Sequence, residues 1–359
     1  MDALAELQDR IRAAAAAGTP LRIRGGGSKD FYGERLEGEL LDTRGLAGIV
    51  SYEPSELVVT VRAGTQLAEL ERVLAESGQC LPFEPPHFGA GATVGGMVAA
   101  GLAGPARASA GSVRDFVLGL NMVNGRGEHL VFGGQVMKNV AGYDVSRLMA
   151  GALGTLGLLT EISLKVLPVP PAEATLRFRC SQAEALQRLN AWGGQPLPLN
   201  ASCWVEEEGA GTLLLRLRGA VAAVESACRT LGGDRMQDAA SLWKGLREQR
   251  LPWFEGEGAQ DLWRLSVPQT APVLELPASP LVEWHGAQRW VRAAPADAER
   301  VREAALRAGG HATLFRTPRT DAAGRFTPLA PVLATIHERL KQQFDPAGVF
   351  NRGRLYPHS

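Results

Sequence analysis

The residues best placed to do chemistry in this 359-residue chain are glycines rather than acids, bases or nucleophiles. Arg24-Gly25-Gly26-Gly27-Ser28-Lys29 and Gly91-Ala92-Thr93-Val94-Gly95-Gly96 are loops whose missing side chains offer backbone N–H groups to an anion such as a diphosphate. Ala110-Gly111-Ser112-Val113-Arg114-Asp115 is a third such loop, and Gly142-Tyr143-Asp144 through Gly154-Thr155-Leu156-Gly157 a fourth. Any one glycine is equally well explained by a tight turn. Four glycine loops in one stretch of mixed helix and strand point instead to a long ligand lying extended across them.

Other chemistries fit less well. Gly89-x-Gly91-x-x-x-Gly95 resembles the glycine spacing of a dinucleotide fingerprint, and Asp115 follows about twenty residues on, where a ribose-binding acid belongs. Its lead-in, Leu81-Pro-Phe-Glu-Pro-Pro86, is too rich in proline for a central parallel strand, and Pro105 to Ser112 is no apolar strand either. The run from His87 to Pro105 is too short and glycine-laden to span a membrane, which takes about 20 apolar residues. The four cysteines form no CxxC pair, so no zinc knuckle or iron–sulfur cluster is encoded. The histidines, at 87, 129, 285, 311, 337 and 358, give no close ligand pair; Glu283 with His285 is the nearest approach to a metal or substrate site. A net charge of zero supplies no field for nucleic acid or an anionic membrane, leaving a small molecule or a protein as partner.

The elements that must carry these loops are legible. MDALAELQDRIRAAAAAG lacks the apolar core of a signal peptide and reads as an amphipathic helix ended by Gly18 and Pro20, consistent with a reduced, cytosolic setting. Leu21–Arg24, Gly48–Tyr52, Leu57–Arg62 and Leu158–Val166 read as strands, and Thr65–Gly78 as a helix with leucines at helical spacing. Phe116–Val123 and Glu128–Phe132 flank Asn124-Gly125, a hairpin signal. The breaker Leu167-Pro-Val-Pro-Pro171 marks a domain boundary. Beyond it, strands Thr175–Arg179 and Thr212–Arg218 alternate with helices Ala183–Trp192 and Val221–Leu231, suggesting a second, smaller α/β layer. Leu329–Leu340 reads as a closing helix.

Taken in order, these loops, with Pro85-Pro86, Gly104 and the closing Phe344-Asp-Pro-Ala-Gly-Val-Phe-Asn351-Arg-Gly-Arg354, resemble the FAD-binding domain of the vanillyl-alcohol oxidase and p-cresol methylhydroxylase (PCMH-type) flavoprotein family. Gly91–Pro105, Gly111–Gly119 and Val136–Gly151 further resemble the FAD-binding subunits of bacterial glycolate oxidases. The resemblance implies an α+β fold, with a PCMH-type two-lobed FAD-binding domain over 1–170, a smaller α/β cap on the substrate side over 171–320, and a C-terminal segment, 321–359, returning to the first domain.

It also implies cofactor contacts. Gly25, Gly26, Gly27 and Ser28 would cradle the diphosphate between Arg24 and Lys29. Thr93, Val94, Gly95 and Gly96 would line the diphosphate and ribityl side, and Gly111, Ser112 and Asp115 the other flank of the flavin. Gly157 and Ile162 would sit near the adenine end, with Pro85, Pro86, Gly104, Tyr143 and Asn351 completing the set. Arg107, Lys138 and Arg354 are further polar candidates. Ser28 stands where covalently flavinylated relatives carry histidine, which implies non-covalent FAD. A bulky residue at Gly95 or Gly96 is expected to cost FAD occupancy more than folding.

Three functions are compatible with this. The chain is an FAD-bearing subunit of a glycolate-oxidising complex, with a second flavoprotein subunit and an iron–sulfur subunit as partners and membrane association only through them. Alternatively it is a stand-alone 2-hydroxy-acid dehydrogenase, or a non-catalytic FAD-binding assembly subunit. The metal-ligating histidines that related hydroxy-acid dehydrogenases carry in the cap are missing, so no catalytic residue is assigned.

Overall fold

The computed structural model of the chain describes residues 3–134, 144–256, 260–320 and 322–356. The first half runs α1 (Ala3–Ala17), β1 (Leu21–Arg24), β2 (Glu39–Asp42), β3 (Ile49–Glu53), β4 (Val58–Arg62), α2 (Leu67–Glu76), β5 (Gln79–Cys80), α3 (Val94–Ala100), α4 (Arg107–Ala110), α5 (Val113–Phe116), β6 (Val117–Val123), β7 (His129–Gly133), α6 (Val145–Leu148), β8 (Leu158–Lys165) and β9 (Leu167–Pro168). These follow the sequence expectations closely. The leucine spacing of α2 buries Leu67, Leu70 and Leu74 on one stripe.

Strands β3, β4, β8, β6 and β7 form, in that order, an antiparallel sheet. Val59, Val61, Ile162 and Leu164 of this sheet share a core with the α2 leucines and with Met97 and Val98 of α3. A smaller layer pairs β1 with β2 in parallel under α1. Leu7, Ile11, Leu21 and Leu41 there pack against Val349 and Phe350, so the end of the chain is built into the beginning.

The second half contains β10 (Ala172–Arg179), α7 (Gln182–Gly193), β11 (Leu199–Glu207), β12 (Ala210–Gly219), α8 (Val221–Leu231), β13 (Asp234–Arg235), α9 (Ala240–Arg247), α10 (Pro252–Glu255), β14 (Asp261–Ser266), β15 (Leu281–Glu283), β16 (Gln288–Ala293), α11 (Ala298–Arg307), β17 (His311–Arg316) and α12 (Pro331–Phe344). Its strands join one eight-stranded sheet in the order β13, β10, β12, β11, β15, β16, β14, β17. Every pairing in it is antiparallel, so its helices are not crossovers between parallel neighbours.

One face of this sheet carries α7 and α8 at one end and α11 at the other. The opposite face, through Leu262, Leu281, Trp290 and Phe315, closes on Tyr32, Ala100 and Leu102 of the first half. The large sheet is therefore a lid whose inner face meets the glycine-rich segments directly. No helix among the described residues is long and apolar enough to cross a membrane.

Candidate cofactor and substrate site

The first glycine loop leaves β1 and turns back beneath the start of α3. Its close approach explains its composition: a Cβ on Gly25 would strike Thr93 Oγ1, one on Gly26 would strike the carbonyl of Gly91, and one on Gly27 would strike the Arg24 guanidinium. The amides of Gly25, Gly26, Gly27 and Ser28 donate to no protein acceptor among the described residues. Such a row of unpaired donors, in a cleft no side chain fills, suits an anionic diphosphate. The cleft is lined by Arg24 through Asp30, Thr93, Gly96, Ala99, Leu153, Asn351 and Arg354.

Two residues far off in sequence hold this loop in place. Asn351 Oδ1 accepts from the Ile23 amide at 2.8 Å, while its Nδ2 donates to the Leu153 carbonyl at 2.7 Å. The buried Arg354 guanidinium donates to the carbonyls of Asp30, Tyr32 and Glu34, and burial draws its pKa down to about 10. Arg24 pairs with Asp30 at 2.7 Å. Lys29 donates to the His87 carbonyl, and burial pulls its ammonium down to about 8 against the attraction of Glu248.

The second glycine loop behaves differently from the first. The amides of Val94 and Gly95 donate to Thr65 and Ala63 carbonyls, and Gly96 N–H to Thr93 Oγ1, so the first turn of α3 is already satisfied by protein. Val94 is fully buried in the core. A Cβ on Gly95 would lie 2.8 Å from that of Ala63, so this glycine lets α3 lie against the end of β4. Only Thr93 and Gly96 reach the cleft, which corrects the expectation that the four act together.

Elsewhere the expected residues serve the scaffold. Asp115 accepts from Ser112 N and Oγ in a capping box on α5, and the Ser112 backbone hydrogen bond, with Ser112's hydroxyl behind it, holds its carboxyl below the usual range. A Cβ on Gly111 would press on that carboxylate, and one on Gly157 on Met122. Ile162 is a fully buried core residue of β8, turned from the cleft. Gly104 is pressed against Glu84, and Pro85 and Pro86 are buried beside it. Tyr143 and Lys138 lie outside the described residues.

The lid is fixed to this segment by polar clasps. Glu84 receives Arg216 Nη2 on both carboxylate oxygens at 2.7 Å and the Ala106 amide at 3.1 Å. Glu248 accepts from the amides of His87 and Phe88. Trp284 Nε1 donates to Gly104 O at 3.0 Å, with the Arg107 guanidinium 4.6 Å over its ring.

Glu283 and His285 do not converge. His285 bonds Ser202 and Ser109, with burial pushing its pKa down to about 4, whereas Glu283 accepts from Trp290 Nε1 at 2.6 Å and Gln288 Nε2 at 2.9 Å. Burial pushes the Glu283 carboxyl up to about 7, partly offset by those two donors. No group of three His, Cys, Asp or Glu among the described residues is placed to hold a metal.

Between lid and glycine loops lies a cavity of about 530 Å³ lined by Tyr32, Arg114, Gly151, Arg264, His311 and Lys341 among others, and, among the described residues, by no Asp or Glu. Its size is ordinary for a ligand pocket. Arg264, on β14, was not singled out from the sequence. The alternation of Asp-Leu-Trp-Arg-Leu-Ser, with Trp263 and Leu265 on the α11 face and Leu262 and Arg264 on the other, was the available signal.

Comparison with known proteins agrees with this geometry. A model of the FAD binding domain family matches residues 2–133. Two structures of alkyldihydroxyacetonephosphate synthase share the fold over 97% of this chain and 74% and 75% of theirs, with TM-scores of 0.65 and 0.67 at 15% identity. The fold and site define an FAD-dependent oxidoreductase of the PCMH type, with FAD as its cofactor. The chain is 48% identical to the glycolate oxidase subunit GlcE of Escherichia coli (strain K12) over 350 residues, 98% of this chain and 96% of that one, and it belongs to that family. A shorter match, 34% over 128 residues, is to the glycolate oxidase subunit GlcD of Bacillus subtilis (strain 168), covering 36% of this chain and 27% of that protein.

Proposed function

We propose that this chain is the FAD-bearing subunit of a glycolate-oxidising complex, oxidising glycolate to glyoxylate or relaying its electrons through FAD to an iron–sulfur partner. The full-length likeness to a glycolate oxidase subunit carries this reading. GlcE and GlcD are both named as subunits, and the chain's four cysteines form no cluster motif, so the electrons leave to another polypeptide.

In this reading the amides of Gly25 to Ser28 hold the FAD diphosphate, with Lys29 as the nearby cation and Thr93, Gly96 and Asn351 shaping the cleft. FAD, when bound, supplies a two-electron acceptor. The chain's own residues orient the ligand, and the sheet lid excludes water from the cavity over it. The working division is 1–170 for the FAD domain, 171–320 for the lid and 321–359 for the returning segment. FAD is held non-covalently, because Ser28 stands where a covalent link to the flavin would need an imidazole.

Anaerobic glycolate added to the purified complex is expected to bleach the flavin of this subunit, and denaturation to release all of its yellow chromophore. Flavin that stays oxidised while a partner's flavin is reduced and passes its electrons elsewhere defeats the reading. The non-catalytic alternative draws on the protein partners that already occupy Glu84, Glu248 and His285, which leave only part of the lid's polar inventory for substrate.

A further inference from the structure

A second, much smaller cavity, of about 20 Å³, lies between the inner face of the lid and the segment from Leu102 to Pro105. Phe88, Gln249, Arg264, Glu283, Gln288 and Trp290 contribute to its wall. Arg264 lines both this cavity and the large one. Twenty cubic ångströms is room for about one water-sized oxygen.

The wall is chemically loaded. Glu283 is 4% exposed, and no cation lies within ion-pair distance of it among the described residues. Gln249 is 9% exposed, sits at φ +53°, and its buried Oε1 has no partner among the described residues. Trp284 and His285, immediately after Glu283, are both left-handed, at φ +53° and +55°. Two successive non-glycine residues held there are a local strain that the surrounding fold must impose. Arg264 opposes Trp290 in the sheet register, and Trp290 in turn donates to Glu283, so cation and carboxylate share one face with a single strand, β16, between them. Arg264 stacks on Tyr32 and Phe315, bonds the Tyr32 hydroxyl at 3.1 Å, and pairs with no carboxylate among the described residues.

We propose that Glu283 is the proton acceptor for the substrate hydroxyl and Arg264 the anchor for the substrate carboxylate, the small cavity receiving the hydroxyl oxygen. The inference rests on the oxidising form of the function proposed above. The O–H bond breaks toward Glu283 and its proton stays on that carboxylate. The Cα–H bond breaks as hydride, delivered to FAD, and the carbonyl of the 2-oxo acid forms. The other titratable groups around Glu283 are Glu84, Cys203, His285 and Arg247. Glu84 raises its proton affinity further, and Arg247 is engaged by Glu248 and Glu71.

The test uses the FAD-loaded full chain with Glu283→Gln, Glu283→Asp and Arg264→Met. Glu283→Gln is expected to keep FAD content and melting temperature while slowing anaerobic flavin reduction by glycolate about 10²- to 10⁴-fold, with Glu283→Asp recovering most of the loss. Oxalate, an unreactive dianion, gives a readout free of turnover. Its binding to wild type at pH 8 takes up about one proton, that to Glu283→Gln takes up none, and Arg264→Met weakens it tenfold or more. If Glu283→Gln matches wild type in both rate and proton uptake, the proposal fails alone. If wild-type flavin responds to neither glycolate nor oxalate, the oxidising function fails and takes the proposal with it.

Discussion

The two sheets contribute to the site in different currencies. The five-stranded half presents backbone: glycines that admit close approach, and a row of amides from Gly25 to Ser28 with no protein acceptor among the described residues. The eight-stranded half presents side chains: Arg264, His311 and Glu283 on one inner face, with Gln249 from the turn after α9 beside them. A backbone site is specified by where side chains are missing, and is repeated wherever the same ligand is held. A side-chain site is specified by individual residues on strands whose composition otherwise reads as core. In the function proposed above, the first half keeps the cofactor while the second sets what that cofactor acts on.

The two halves meet most tightly at a buried ion pair. Glu84 comes from the first half and Arg216 from the second, with side chains 17% and 5% exposed. Removing one partner leaves a buried charge uncompensated, so Glu84→Ala is expected to cost about 3–5 kcal/mol in denaturant unfolding. A midpoint within error of wild type breaks the idea that the halves are clasped into one site.

Next is the backbone site itself. Gly26→Val drives a side chain into the Gly91 carbonyl, so the loop must shift; thermal stability falls and FAD affinity of the folded protein is expected to fall at least 100-fold, about 2.7 kcal/mol, in fluorescence titration. Gly95→Val is the control that separates ligand from scaffold. Its new side chain meets Ala63, so thermal stability falls while the surviving folded fraction still binds FAD. This reverses for Gly95 the expectation drawn from sequence, and retains it for Gly96, whose Cβ would meet only Thr93 Oγ1.

That reversal marks how far the sequence can be read. Glycine loops, the α2 leucine stripe and the Asn-Gly hairpin are local signals, and the elements around them matched within a residue or two. Which of two adjacent glycines faces a ligand depends on where α3 packs on β4, and Thr93–Gly96 carries no mark of it. Asp115 was expected beside the flavin from the family resemblance, but Gly-Ser-x-x-Asp also makes a capping box, in which the Ser112 N–H and hydroxyl both donate to Asp115 Oδ2. Arg264 and Gln249 were invisible because their roles come from strand register and a left-handed turn, both set by the tertiary fold.

Lys29 joins the two halves electrostatically and gives a pH-dependent prediction. Burial lowers its pKa to about 8 in the protein without ligand, and a diphosphate beside it favours the ammonium and raises that value. FAD affinity is thus full below about pH 8 and falls as pH rises above it, by up to about tenfold per unit. Lys29→Met is expected to flatten that slope in titrations between pH 7 and 9.5. A slope unchanged by the substitution places Lys29 outside the cofactor site.

The smallest expected effect decides whether the third glycine loop belongs with the first. If Asp115 only caps α5, Asp115→Ala costs about 0.5–2 kcal/mol of stability and leaves FAD affinity within twofold. The capping contribution also has a defined pH signature. Ser112 depresses the folded-state pKa, so the stabilisation is present above the unfolded carboxyl's value near 4 and is lost as pH falls through the folded value. The wild-type advantage over Asp115→Ala is therefore steady from pH 5 to 8 and shrinks in acid. A variant that keeps its stability but loses FAD moves this loop into the backbone-read site, leaving α5 to be held by its buried Val113 and Phe116 alone.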